Sequence, residues 1–343
     1  MATLRHSLSK ARSKKGSSLL TAGLTVGAAL AITALLVRRA ARKTEQRHPP
    51  TGRFVEVSGV RLHYLEIGTG DPVVLLHGNG LHARDFVGSG LANALARHYR
   101  VIAFDRPGFG YSQRPRSHIW SPQAQATLLR AAFAQLGIEQ PVVIGHSWGT
   151  MVALALALQH PNALRGLLLL SGYYYPTMRW DSVLESPPAI PLLGDLMNYT
   201  VAPLLARLTT PSQVRQLFAP EPVPTAFHEA VPLEMMLRPW QLRAAAAEAA
   251  LMMPAARSLA KRFSELHLPV TIVAGTGDRI VDHQAHAARL HRDLPQSRLL
   301  LIPERGHMLH YTESDQLAAA VDELMAMRET QPYPPELQPS RQQ

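Results

Sequence analysis

A serine set between glycines at one-residue spacing, with an apolar strand before it and an apolar helix after it, can act as a nucleophile on a sharp turn. Residues 141–153 have this form. Pro141-Val142-Val143-Ile144 leads into Gly145-His146-Ser147-Trp148-Gly149, and Thr150-Met151-Val152-Ala153 continues with helical character. Small flanking residues let neighbouring chain pass close to a strained turn, and the turn aims the hydroxyl outward. Ser147 is the candidate nucleophile. To attack an acyl carbon it needs a base for its proton, an acid to orient that base, and donors for the oxyanion that forms.

The chain supplies these groups in order. Leu268 to Gly275 reads as a buried strand that runs into Thr276-Gly277-Asp278 and so carries a carboxylate at its end. Asp278 is the candidate orienting acid, because Asp282 is better placed to cap the helix that follows. Ser297 to Pro303 is the last strand, and Glu304-Arg305-Gly306-His307-Met308 is the loop after it, which makes His307 the candidate general base. With sixteen histidines in the chain, position decides the assignment. His307 follows both the serine and the aspartate, whereas His310, three residues on, is the nearest alternative. His146 is expected to pack beside the turn, and His77 to hold loop backbone. The strand Pro72 to His77 leads into Gly78-Asn79-Gly80, so the backbone N–H groups of Asn79 and Trp148 are the candidate oxyanion donors. In the turn Ala103 to Ser112, Asp105 and Arg106 are expected to brace the loops around the site.

Positioning these loops requires a sheet. Strands are predicted near 53–57, 60–66, 72–77, 100–105, 141–146, 166–171, 269–275 and 297–303. From the third onward they alternate with helical stretches near 82–96, 122–136, 148–160, 283–293 and 312–327. Continuous apolar strands alternating with helices imply a mostly parallel eight-stranded sheet covered on both faces, with the first two strands as an antiparallel hairpin at its edge. Residues 172–268 break the rhythm with helical runs, many prolines and no strand of similar quality. They are expected to form a helical cap over a core of 53–171 and 269–327, and to shape an apolar pocket with residues among Leu192, Leu193, Met197, Leu204, Leu205, Met235, Met236, Leu251, Met252 and Met253.

Taken together, His77-Gly78, Asp105-Arg106-Pro107-Gly108-Phe109-Gly110-Tyr111-Ser112, Gly145-His146-Ser147-Trp148-Gly149, Gly277-Asp278 and Gly306-His307 resemble the α/β-hydrolase fold superfamily over about residues 53–327. The resemblance implies that fold and a Ser, Asp, His triad. Asn79 after His77-Gly78, with Trp148 after the nucleophile, is similar to the haloalkane dehalogenase and epoxide hydrolase branch. In dehalogenases the matching side chains hold the leaving halide. Those enzymes use an aspartate nucleophile, and this chain has Ser147 there, which points to acyl transfer rather than displacement at a saturated carbon. The expected activity is hydrolysis of carboxylic esters of hydrophobic substrates. Carbon–carbon bond hydrolysis or a cofactor-free perhydrolase reaction on the same triad, and a non-catalytic tethered binding protein, are the alternatives.

The formal net charge of +10 is concentrated at one end. Residues 1–48 carry ten Lys and Arg against Glu45 alone, and the remainder is close to neutral. The body therefore lacks the basic excess that nucleic-acid binding requires. Between the basic clusters, residues 16–37 hold no charge and are long enough to cross a bilayer. The expected order is a basic tail (1–15), a membrane anchor (16–37) and a basic linker (38–52) ahead of the core. Arg38-Arg39 directly after the apolar run, with no small-x-small site, argues against a cleaved signal peptide, while the acid-free first fifteen residues also suit a mitochondrial presequence. Five basic residues on each side leave the orientation open. Gly23 and Gly27 form a G-x-x-x-G that could pair two such helices in a homodimer. No cysteine is present, and no metal-ligand spacing or phosphate-cradling loop appears, so neither a cofactor nor a metal is expected. Residues 328–343 are Pro/Gln-rich and read as a disordered tail.

Overall fold

The computed structural model describes residues 2–177 and 186–327, with side chains from residue 23 onward. A long helix α1 (Ala2–Arg47) precedes an edge hairpin of β1 (Arg53–Val57) and β2 (Val60–Ile67). Then come β3 (Pro72–Leu76), the short helices α2 (Arg84–Gly88) and α3 (Leu91–Leu95), β4 (Arg100–Phe104), α4 (Pro122–Leu136), β5 (Val142–His146), α5 (Trp148–Gln159) and β6 (Gly166–Leu170). The cap contributes α6 (Leu193–Tyr199), α7 (Ala202–Phe218), α8 (Thr225–Ala230), α9 (Leu233–Met236) and α10 (Pro239–Ala260). The chain returns to the sheet through β7 (Val270–Gly275), α11 (Arg289–Asp293), β8 (Arg298–Ile302) and α12 (Ser314–Met327).

The eight strands lie in the order β1-β2-β4-β3-β5-β6-β7-β8. Only the hairpin and its junction with β4 are antiparallel. From β3 the chain steps outward to β4 and then returns to place β5 on the other side of β3, so the winding direction switches between β3 and β5. A crevice forms at the carboxyl ends of strands at such a point. Strands β3, β5, β6 and β7 are buried along nearly their whole length, as their unbroken apolar sequences require. Alternate residues feed two cores. Val74 and Leu76 pack on the side of α4 and α5, and Val73 and Leu75 on the side of α3 and α12. Helix α5 is apolar all round and buried from Trp148 to Leu158, so the element that begins at the candidate nucleophile is itself the centre of the core.

The edge hairpin, the parallel sheet and, among the described residues, the helical cap follow the sequence reading. Three segments differ. The stretch 82–96 is two short helices, because Gly90 adopts a left-handed φ of 84° that ends one and starts the next. The stretch 283–293 opens on a wide π-type turn, Gln284–Ala288, before α11. The basic segment read as a linker is helical as far as Arg47. Residues 178–185 of the cap and the tail from 328 lie outside the described residues.

Candidate active site

Ser147 occupies the junction of β5 and α5 with φ 51° and ψ −116°, a conformation an L-residue holds only when its surroundings dictate it. The surroundings are visible. A Cβ on Gly149 would stand 2.1 Å from the carbonyl oxygen of Leu76, and one on Gly145 would stand 2.7 Å from the Gly149 backbone. Strand β3 and the start of α5 can therefore approach only through glycines, and the Ser147 N–H is held by the Leu170 carbonyl at 2.9 Å.

His307 and Asp278 meet from the loops after β8 and β7. His307 Nδ1 lies 2.8 Å from Asp278 Oδ2, and both side chains are almost fully buried. Burial alone would raise the Asp278 carboxyl, but the charge and hydrogen bond of His307, with the N–H groups of Val281 and Ile280, outweigh it and hold the carboxyl below its usual range. An ionised carboxylate only accepts, so Nδ1 carries the proton and Nε2 is left as the basic nitrogen. Asp282 caps the following turn through the Ala285 N–H at 2.7 Å, which leaves Asp278 for His307. Ser147 and His307 line one cavity of about 500 Å³ together with Asn79 and Trp148. Trp148 is the first residue of α5, and among the described residues neither its N–H nor that of Asn79 meets a backbone carbonyl. The Asn79 side chain turns away to donate to the Ala245 carbonyl of α10 at 3.2 Å.

The loops are braced as the sequence suggests. Asp105 accepts from the N–H groups of Ala83 and Tyr111 and pairs with His63 at 2.7 Å. Burial would raise its carboxyl, yet these partners, His63 foremost, bring it down to about 2. Arg106 donates to the carbonyls of His77 and Gly78 and forms a fully buried, two-pronged ion pair with Glu248 of α10 at 2.5 and 2.9 Å. His77 Nδ1 donates to the Gly78 carbonyl while Nε2 accepts from the Arg106 N–H, so it shapes the loop. Cap side chains Met197, Leu205, Met236 and Met252 reach the cavity. Leu192, Leu193 and Leu204 instead point to the exterior.

A family model described as the alpha/beta hydrolase fold matches residues 71–314, from before β3 to the start of α12. The chain belongs to the α/β-hydrolase fold family. This α/β-hydrolase is 26% identical over 297 residues to haloalkane dehalogenase 2 of Mycobacterium tuberculosis, covering 81% of the chain and 96% of the relative. It is 32% identical over 157 residues to 2-hydroxymuconate semialdehyde hydrolase of Pseudomonas sp. strain CF600, covering 45% of the chain and 56% of the relative. Among solved structures, a thermophilic esterase from Thermogutta terrifontis aligns with TM-score 0.64 at 24% identity, over 80% of this chain and 98% of that one. A membrane phospholipase A aligns with TM-score 0.62 at 22% identity, over 93% of this chain and 100% of that one. That coverage exceeds what residues 49–343 alone could supply, so the shared fold extends into α1.

Sequence reasoning missed a second polar cluster behind the turn. His310, the alternative base, is fully buried and donates from Nε2 to Asp85 Oδ2 at 2.8 Å, while the Tyr311 hydroxyl takes Asp85 Oδ1. His310 packs 4.6 Å from the His146 ring, whose Nε2 donates to the carbonyl of His307 at 3.1 Å. Burial first, then His310 and His307, push His146 well below the ordinary imidazole value, so it is neutral. The ligand atoms of Asp85, His146 and His310 lie within 4.8 Å of one another, but Asp85 is already shared between His310 and Tyr311. Glu248 was missed too, although a single acid inside an alanine-rich helix is the one available signal that it must have a buried partner.

Proposed function

We propose that this α/β-hydrolase is a membrane-anchored serine hydrolase that cleaves carboxylic esters of hydrophobic substrates. Ser147 attacks the acyl carbon while His307 Nε2 takes its proton. Asp278 holds the imidazole and offsets its positive charge, and the Trp148 and Asn79 N–H groups receive the oxyanion. The leaving alcohol takes the proton from His307, and water then releases the acid by the same steps in reverse. The observation that carries the reading is the strained serine and the Asp-paired histidine facing one cavity whose far wall is aliphatic and methionine-rich. The anchor is supported by α1, whose Gly23–Arg47 portion holds an apolar window long enough to cross a bilayer, with only 6% of that window buried. Gly23 and Gly27 face open space and leave room for a second helix to pair there.

The dehalogenase chemistry of one relative is disfavoured, since a serine stands at the turn and the Asn79 amide is committed to Ala245. Carbon–carbon bond hydrolysis is favoured as a second reading by the 32% identity to a 2-hydroxymuconate semialdehyde hydrolase. The test is turnover of p-nitrophenyl esters of increasing acyl length by the full chain in detergent, beside Ser147→Ala. Turnover by the wild type alone, rising with acyl length, is expected. Cleavage of a vinylogous diketone with no ester turnover would move the second reading ahead, and full ester activity in Ser147→Ala would overturn both.

A further inference from the structure

Eight of the seventeen large apolar side chains that stand exposed among the described residues fall within residues 190–208, on α6, the start of α7 and the chain before them. Leu192 and Leu208 are 85% and 79% exposed, and Leu193, Leu196, Leu204 and Leu205 about half. Only two charges interrupt the stretch, Arg207 and Asp195, and Asp195 is paired with Arg116 at 2.6 Å. An aliphatic patch this dense is not what a surface facing water carries.

Its position indicates what covers it. Five of the other exposed apolar residues lie on the apolar part of α1, Leu24 to Leu36, and the two patches belong to elements in direct contact. Arg38, the first charge after the apolar run, lies over the Tyr199 ring at the end of α6, 5.7 Å from its centre. Further along α1, Ala41 and Thr44 are buried, and Glu45 pairs with the buried Arg238 at the head of α10 at 2.9 Å. The cap is therefore fastened to α1 at the height where the apolar run ends. With the apolar run in a bilayer, Arg38, Arg39, Arg42 and Lys43 would meet the level of anionic headgroups, and Tyr199 would sit where aromatic residues flank a span. The same two cap helices wall the cavity with Met197, Ala202, Leu205 and Ala206, and Leu205 is both exposed and cavity-lining, which puts it at a mouth on the patch.

We propose that the outer face of α6 and α7 rests in the surface of a lipid bilayer, and that the ester reaches Ser147 through the mouth beside Leu205 without leaving the lipid phase. The bilayer contact rests on the patch and α1, and the entry route rests on the ester-hydrolase reading above. The chain has no cysteine, so single labels are straightforward. Leu204→Cys, Leu208→Cys and, at the opposite end of the sheet before β5, Glu139→Cys would each carry an environment-sensitive fluorophore on the full chain in vesicles of neutral and anionic phospholipid. Blue-shifted emission at 204 and 208 that is quenched by spin-labelled lipid, with neither effect at 139, is expected. Quenching no greater than at 139 would overturn the contact, and so would a blue shift without lipid quenching, which would assign the patch to a second copy.

The entry route is read separately with Leu204→Ser combined with Leu208→Ser. Hydrolysis of a long-chain ester in the vesicles should fall about ten-fold or more, because two leucines leave the interface. Hydrolysis of a water-soluble short-chain ester should be unchanged. An equal fall on both esters, or none on either, would overturn the route. If the wild type hydrolyses neither ester the hydrolase reading fails, while the fluorescence still decides the bilayer contact.

Discussion

On the proposed mechanism, the chemistry rests on a division of labour between two buried Asp–His pairs. Asp278 engages a histidine that reaches the cavity. Asp85 engages His310, which lies behind the turn and backs His146 against the carbonyl of His307. Asp278→Asn would keep the shape but favour the wrong ring tautomer, so kcat should fall on the order of 10⁴-fold with little change in KM. Steady-state kinetics of the folded variant check this, and a loss below about ten-fold would mean that His307 does not need Asp278. The three candidate triad residues were legible because each follows a strand whose apolar run is unmistakable. His310 was ranked below His307 by position alone. Its partner Asp85 lies 225 residues away, and no spacing rule reveals such a pair.

At the scale of elements, the cap is not merely laid over the sheet. Arg106 at the end of β4 and Glu248 in α10 are wholly buried and 142 residues apart, and Arg238 at the head of α10 reaches both Glu45 on α1 and the Gly110 carbonyl. Removing one member strands its partner's charge in the interior. Glu248→Ala should therefore destabilise the protein by about 3–5 kcal/mol. Urea denaturation of the full chain in detergent should show it, and a change under about 1 kcal/mol would mean that water reaches Arg106. The strands and the cap's helical character were legible from continuous apolar runs and from the prolines. The break in 82–96 was not read, although Gly88 and Gly90 carried it. The docking of α1 depends on Glu45 and His48 meeting Arg238 and Tyr111, contacts that only the folded chain creates.

For the whole molecule, buried neutral histidines set the response to acid. Burial, the largest influence, brings His82 from 6.5 to about 4, and its Nε2 has no partner among the described residues. Burial likewise holds His77 and His146 well below 6.5. A histidine lowered by folding binds its proton more readily in the unfolded chain. Its contribution is complete above pH 6.5 and is lost as pH falls toward 4, roughly 3 kcal/mol for His82. Asp105, lowered from 3.8 to about 2, adds a second loss only below pH 3.8. The urea midpoint should fall steadily from pH 7 to pH 4.5, and His82→Gln should flatten part of that slope. A midpoint independent of pH across this window would show that the histidines are already hydrated in the fold.

The central claim is that Ser147 is an activated nucleophile. Reaction of the full chain in detergent with a fluorophosphonate, followed by mass spectrometry of the peptides, tests it most directly, since an unactivated serine does not react. One adduct per chain on Ser147, and none in Ser147→Ala, is the expected result. No adduct, or an adduct on another serine while ester turnover persists, would contradict the account.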